Sequence, residues 1–133
     1  MPNSKKVLEY IDVKDRVGII IELFGGSTIQ GIVAITMDYE IANNIISSMM
    51  GGTIVEKIDD IGISALGEYS NWIIGSAAKK VLAFGEKISN FKADIKTSLQ
   101  QKEEYKVHSE KNLPFLSLGY LLDNFKIEIS LAI

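Results

Sequence analysis

The chain has 133 residues, 47% hydrophobic and 23% charged, with a net charge of −3. That length suits one domain spanning 1–133 with a real core, the composition excludes a disordered chain, and the acidic balance excludes nucleic-acid binding driven by a basic surface. With no cysteine there is no disulfide framework, thiol nucleophile or cysteine metal site.

The first residues, "MPNSKKVLEYIDVKDR", lack the apolar core of a signal peptide. The longest apolar run, "VGIII", is strand-sized and far short of the ~18 residues of a membrane span. The expected location is the cytoplasm, with no membrane partner. Residues 7–13, "VLEYIDV", alternate loosely and read as a strand. "VGIIIELF" (17–24) and "IQGIVAIT" (29–36) are rich in β-branched residues and flank the glycine turn "GGST", which predicts a β-hairpin. Their unbroken apolar runs predict strands covered on both faces.

The period then changes. In "MDYEIANNIISSMMGG" the apolar residues Ile41, Ala42, Ile45, Ile46, Met49 and Met50 recur at helical spacing. Asp38 is the expected N-cap, accepting from a first-turn amide, and Gly51 and Gly52 are the expected stop. "TIVEKI" follows as a short strand-like piece. The longest helical segment runs from about 60 to 84, capped by Asp60 and ended by Gly85. Beyond it, "FKADIKTSLQ", "EYKVHS", "FLSLGYLL" and "FKIEISLAI" read as strands, the last two joined by "DN" (123–124), a two-residue turn signal. In the final strand Phe125, Ile127, Ile129 and Leu131 alternate with Lys126, Glu128 and Ser130, the pattern of a half-exposed antiparallel strand. Hairpin-linked strands interrupted by two helices predict an α+β fold: an antiparallel sheet with two main helices packed on it.

The long helix carries an odd feature. At about 100° per residue, Glu68 lies about 40° to one side of Ser64 and Asn71 about 20° to the other, and Gly75 falls on the same stripe. Leu66, Tyr69, Ile73 and Ala77 lie opposite and are expected to meet the sheet. Gly62, Gly67 and Gly75 each cost roughly 1 kcal/mol relative to alanine in a helix interior. Tight packing explains them; alternatively, Gly75 leaves room for an incoming partner surface. By residue type alone, a Glu and an Asn on one face are a solvated face. No base lies within one turn of Ser64 to activate it, so a serine nucleophile has no support.

The segment "DDIGISALGEYSNWIIGSAAKKVL" resembles the core of the CheC/CheX/FliY family of chemotaxis phosphatases. The family signature is Asp or Ser, three residues, Glu, two residues, Asn; here it reads Ser64, Glu68, Asn71. "GGSTIQGIVAITMDYEIANNIISSMMGG" is similar to the family's hairpin and following helix, and "LPFLSLGYLL" and "FKIEISLAI" to its closing strands, so the resemblance covers about 17–133. One motif copy and the short length point to the CheX branch. Two departures stand out. The family usually begins with a helix and carries a proline about two dozen residues after the asparagine; this chain starts almost directly in "VLEYIDV" and has no proline between Pro2 and Pro114.

The resemblance implies a CheC-like fold and a phosphatase acting on phosphorylated CheY or another receiver domain in two-component signalling. It implies Asn71 as the residue that orients the attacking water and Glu68 as the partner of the receiver's lysine; Ser64 either extends that contact or ties the first turn, and Gly75, by its place on the stripe, is expected to admit the partner surface. It also implies a homodimer, and Mg²⁺ on the receiver instead of a cofactor in this chain. The alternative is a non-catalytic module of the same fold that binds a receiver domain or a flagellar-switch protein. The lone His108 is expected to be structural or solvated, and Trp72 to lie in the core or on a dimer surface. "QQKEEYKVHSEK" is expected to be a solvated hairpin or loop.

Overall fold

A computed structural model describes residues 2–52, 59–84, 90–97, 106–109, 112–122 and 125–132, with side chains of the long helix described as far as Trp72. In chain order the elements are β1 (Ser4–Leu8), β2 (Ile11–Asp12), β3 (Val17–Gly25), β4 (Thr28–Met37), α1 (Tyr39–Met49), α2 (Asp60–Phe84), β5 (Asn90–Thr97), β6 (Lys106–Val107), β7 (Phe115–Leu122) and β8 (Phe125–Ala132). Among the described residues six strands form an antiparallel sheet in the order β1-β7-β8-β4-β3-β5, and β2 pairs with β6 in a separate two-stranded ribbon. The α+β arrangement expected from the sequence is the one observed.

The predicted hairpin is β3–β4, with Gly25 paired to Thr28 across the turn. The apolar run at its start is sandwiched. Val17, Ile19, Ile21 and Leu23 pack with Met37 against Ile41, Ala42 and Ile46 of α1 and Leu66 of α2. Ile20 points the other way, into a second cluster with Ile11, Val13, Ile32, Ala34, Phe115 and Ala132. An alternating backbone sends successive side chains to opposite faces, so only a strand covered on both sides can be apolar at every position. The helices cover one face of the sheet, and the β2–β6 ribbon covers part of the other.

Residues 7–13 divide into the end of β1 and the two-residue β2, because β1 joins the main sheet beside β7 while Ile11 turns to pair with Val107. "TIVEKI", Gly85, the "DN" turn and most of "QQKEEYKVHSEK" lie outside the described residues.

Asp38 stands at the N-cap of α1 in extended conformation, but its side chain makes no capping bond. Its carboxylate instead faces Arg16 Nε at 3.3 Å and accepts from the Lys126 amide at 2.7 Å. The Lys126 amide takes the hydrogen bond that a first-turn amide would otherwise donate, and the nearby guanidinium adds an ion pair that holds the carboxylate toward β8. Arg16 also reaches Glu128 and donates to the Lys126 carbonyl at 3.0 Å. It thereby ties the start of β3, the entry to α1 and the middle of β8 together. At the other end of α1, Gly51 and Gly52 adopt φ of 74° and 89°, and the Gly52 amide donates to Ser47 O at 2.8 Å. That six-to-one bond closes a Schellman turn, which needs the left-handed backbone that glycine accepts without strain.

The final strand departs from its predicted burial. Phe125 and Ile127 pack against the helix-side core, but Ile129 and Leu131 are 42% and 39% exposed, while Ser130 is 1% exposed. The helices do not reach this end of the sheet. There Val7, Leu116, Ile129 and Leu131 form an uncovered apolar strip across β1, β7 and β8. On the opposite face Ser130 Oγ donates to Ser117 Oγ at 2.9 Å, so each buried hydroxyl has a partner.

Candidate functional site

α2 starts one residue earlier in its capping than the sequence suggests. Asp59, not Asp60, is the cap: its Oδ1 accepts from the Gly62 amide at 2.8 Å, and its carbonyl accepts from Ile63 N at 2.9 Å. Asp60 is already the first helical residue. With two aspartates in succession, residue type alone does not pick between them.

One side of this helix holds it down. Gly62, Leu66 and Ser70 are buried at four-residue spacing. A Cβ at Gly62 would meet Ile46 Cδ1 at 3.1 Å, so this glycine permits the close approach of α2 to α1. Leu66 is fully buried in the helix-side core. Ser70, also fully buried, donates from Oγ to Leu66 O at 2.7 Å and so satisfies its hydroxyl within the helix. Tyr69 is half-buried, while the side chains of Ile73 and Ala77 lie outside the described residues. Gly67 differs from Gly62, because nothing lies within 4 Å of its would-be Cβ. Tight packing accounts for the first glycine and not for the second.

The other side faces outward. Ser64, Glu68 and Asn71 are all exposed, as their shared stripe predicts. Gly75 lies within α2, but its surroundings fall outside the described residues. Trp72 is 69% exposed and therefore not a core residue. The core half of the expectation fails because the buried arc at 62, 66 and 70 leaves position 72 well to one side, about 160° from Ser70 and about 120° from Leu66. Between α1 and α2 lies an open groove of about 690 Å³, bordered by Glu68, Tyr69 and Trp72 from α2, by Asn44, Ile45 and Met49 among others from α1, and by Phe125. The sequence reading did not find this groove. The signal was present in the two helical periods, but only tertiary packing sets those two faces side by side.

The stripe's chemistry is that of a presenter of hydrogen bonds. A carboxamide offers an acceptor oxygen and two N–H donors, and a carboxylate offers a negative acceptor. His108 does not join them. It is exposed and stacks obliquely on Tyr10, with ring centroids 5.6 Å apart. It follows Val107, whose ribbon packs on the sheet face opposite the helices. Among the described residues no group of three or more His, Asp or Glu side chains is placed to hold a metal ion, and no helix is long and apolar enough to cross a membrane.

Solved structures with this architecture include a CheC-like superfamily protein from Shewanella sp. PV-4, with a TM-score of 0.74 and 17% identity over 98% of this chain and 81% of that one. The chemotaxis protein CheX from Vibrio vulnificus gives a TM-score of 0.72 and 15% identity over 98% of this chain and 83% of its own. The fold is thus of the CheC-like class. A curated relative, the CheY-P phosphatase CheX of Thermotoga maritima, is 28% identical over 81 residues, or 61% of this chain and 51% of the relative. The chain therefore spans about half the length of that relative in the match. The family model for the chemotaxis phosphatase CheX matches residues 17–120, and the chain belongs to this family.

Proposed function

We propose that this chain hydrolyses the aspartyl phosphate of a CheY-type receiver domain by lending Asn71 to a reaction centre built mainly on the partner. The observation that carries the reading is the pairing of exposed Glu68 and Asn71 on one face of a helix whose opposite face is anchored by Gly62, Leu66 and Ser70.

In this reading the receiver supplies the phosphoaspartate, its Mg²⁺ and a lysine. Glu68 pairs with that lysine and fixes the docking register. Asn71 Oδ1 accepts a hydrogen bond from a water, and its Nδ2–H donates to a phosphoryl oxygen. The water oxygen then forms a bond to phosphorus in line with the breaking bond to the aspartyl oxygen. The products are the free carboxylate and inorganic phosphate, and the water's proton passes to phosphate or solvent. Phosphoryl transfer depends chiefly on positioning and electrostatics, so a neutral amide that takes no proton suffices for this role. Glu68 is unsuited to act as the base, because a carboxylate held against a phosphoryl group is repelled. Ser64 extends the contact and performs no chemical step. The homodimer implied by the family resemblance belongs to the same proposal, and sedimentation gives its mass.

The test is the decay of a phosphorylated CheY receiver with and without this protein. The parent should accelerate loss of phosphate, and Asn71→Ala should abolish the acceleration while leaving the melting temperature unchanged. Parental activity in Asn71→Ala would reject the mechanism. Receiver binding by the parent without faster decay would identify a non-catalytic receiver-binding module.

A further inference from the structure

Trp72 and the groove beside it have no part in the chemistry above, yet they adjoin it. On α2, Glu68 lies between two neighbours: Asn71 about 60° to one side and Trp72 about 40° to the other, one turn on. Glu68 also borders the groove between α1 and α2. A body that engages Glu68 and Asn71 together therefore overhangs the groove on the far side of the same carboxylate.

The groove has the makeup of a recognition site. Its walls include Ile45, Met49 and Tyr69, all half-buried, and the broadly exposed Trp72. Asn44 lies exposed along the α1 side. A large aromatic left in solvent beside an apolar depression is the residue type that dominates interface energetics once covered. Among the described residues Glu68 is the sole charged one bordering the groove. The matching occupant is therefore a protein segment that carries a cation flanked by aliphatic or aromatic side chains. A two-fold pairing of this chain through the same groove is disfavoured, because it would bring two Glu68 carboxylates toward one another.

We propose that the α1–α2 groove, walled by Trp72, seats an apolar segment of the receiver domain beside the lysine that reaches Glu68, and so sets which receiver is accepted. This rests on the receiver-phosphatase reading of Glu68 and Asn71. It assigns Trp72 and Asn44 to partner choice and leaves the hydrolytic step to Asn71.

The probe is a CheY receiver domain carrying beryllofluoride and Mg²⁺, titrated calorimetrically against the parent, Asn71→Ala, Trp72→Ala and Asn44→Trp. The last variant fills the groove from an exposed position and spares the core. Trp72→Ala and Asn44→Trp should each weaken binding about 10-fold or more, the scale of an interface anchor. Asn71→Ala should bind within about threefold of the parent, since its contribution falls on the reaction and not on the complex. With phosphorylated receiver, Trp72→Ala should raise KM by a similar factor and leave kcat near the parental value. Parental binding and KM in both groove variants, with Asn71→Ala inactive, would overturn the groove assignment and leave the phosphatase reading standing. Failure of the parent itself to bind the charged receiver or to speed its decay would overturn both. Unchanged circular dichroism and melting temperature in the two groove variants separate lost recognition from lost fold.

Discussion

At the scale of single residues, the fold and the proposed chemistry draw on different side chains. Asn71 is exposed, so its truncation removes no packing, and its loss should appear in turnover alone. Ser130 is the reverse case. It is buried, far along the chain from the stripe, and bonded to Ser117. Ser130→Ala should cost about 1–3 kcal/mol by leaving the Ser117 hydroxyl without a partner, whereas the Ser117→Ala/Ser130→Ala double variant should recover much of that loss. Urea denaturation of the three variants checks this; additive losses would show that the bond itself is not the source. The stripe of Ser64, Glu68 and Asn71 was legible in sequence because helical pitch converts spacing into facing without any tertiary knowledge. Asp38 was not. Its type and position both fitted a capping role, but Arg16, 22 positions earlier in the sequence by the numbering, claims its carboxylate. No local pattern announces a partner brought near only by folding.

At the scale of elements, α2 combines an anchored arc and a presenting arc, and its glycines divide the same way. Gly62 sits against Ile46, but Gly67 has open space around its would-be Cβ and a backbone without positive φ. Gly67→Ala should therefore stabilise the protein by about 0.5–1 kcal/mol through the helix preference for alanine, as the denaturation midpoint reads it. A lower denaturation midpoint in that variant would mean that the helix needs the glycine for something other than packing at this site. The helices and the β3–β4 hairpin were readable from periodicity because each is specified within a short window. Residues 7–13 and "EYKVHS" also read as strands, but the two-residue extent of β2 and β6 and their pairing with each other did not. These two strands join Ile11 to Val107 and Asp12 to Lys106 across most of the chain, and so short a run has no period to detect.

At the scale of the molecule, Arg16 fastens three parts that are distant in sequence: the start of β3, the entry to α1 and β8. Its side chain and those of Asp38 and Glu128 are only partly exposed, at 18%, 30% and 25%. Arg16→Ala should cost about 2 kcal/mol, between the small worth of exposed ion pairs and the larger loss on breaking buried ones. Thermal unfolding measures it; a loss below a few tenths of a kcal/mol would show that the cluster is solvated in effect. The uncovered end of the sheet was also beyond sequence reasoning. Alternation in "FKIEISLAI" foretold two distinct faces, but where the helices stop is a property of the whole assembly, and it leaves Ile129 and Leu131 in solvent.

The division of labour along α2 has a cellular consequence. Proteases and chaperones survey chains for unfolding and are blind to idleness. A change at Asn71 would escape that surveillance and leave the protein at ordinary abundance. In the proposed mechanism such a chain would still occupy its receiver and shield the phosphate it had lost the means to remove. Silencing this protein would then yield an interfering copy, felt even beside a working one.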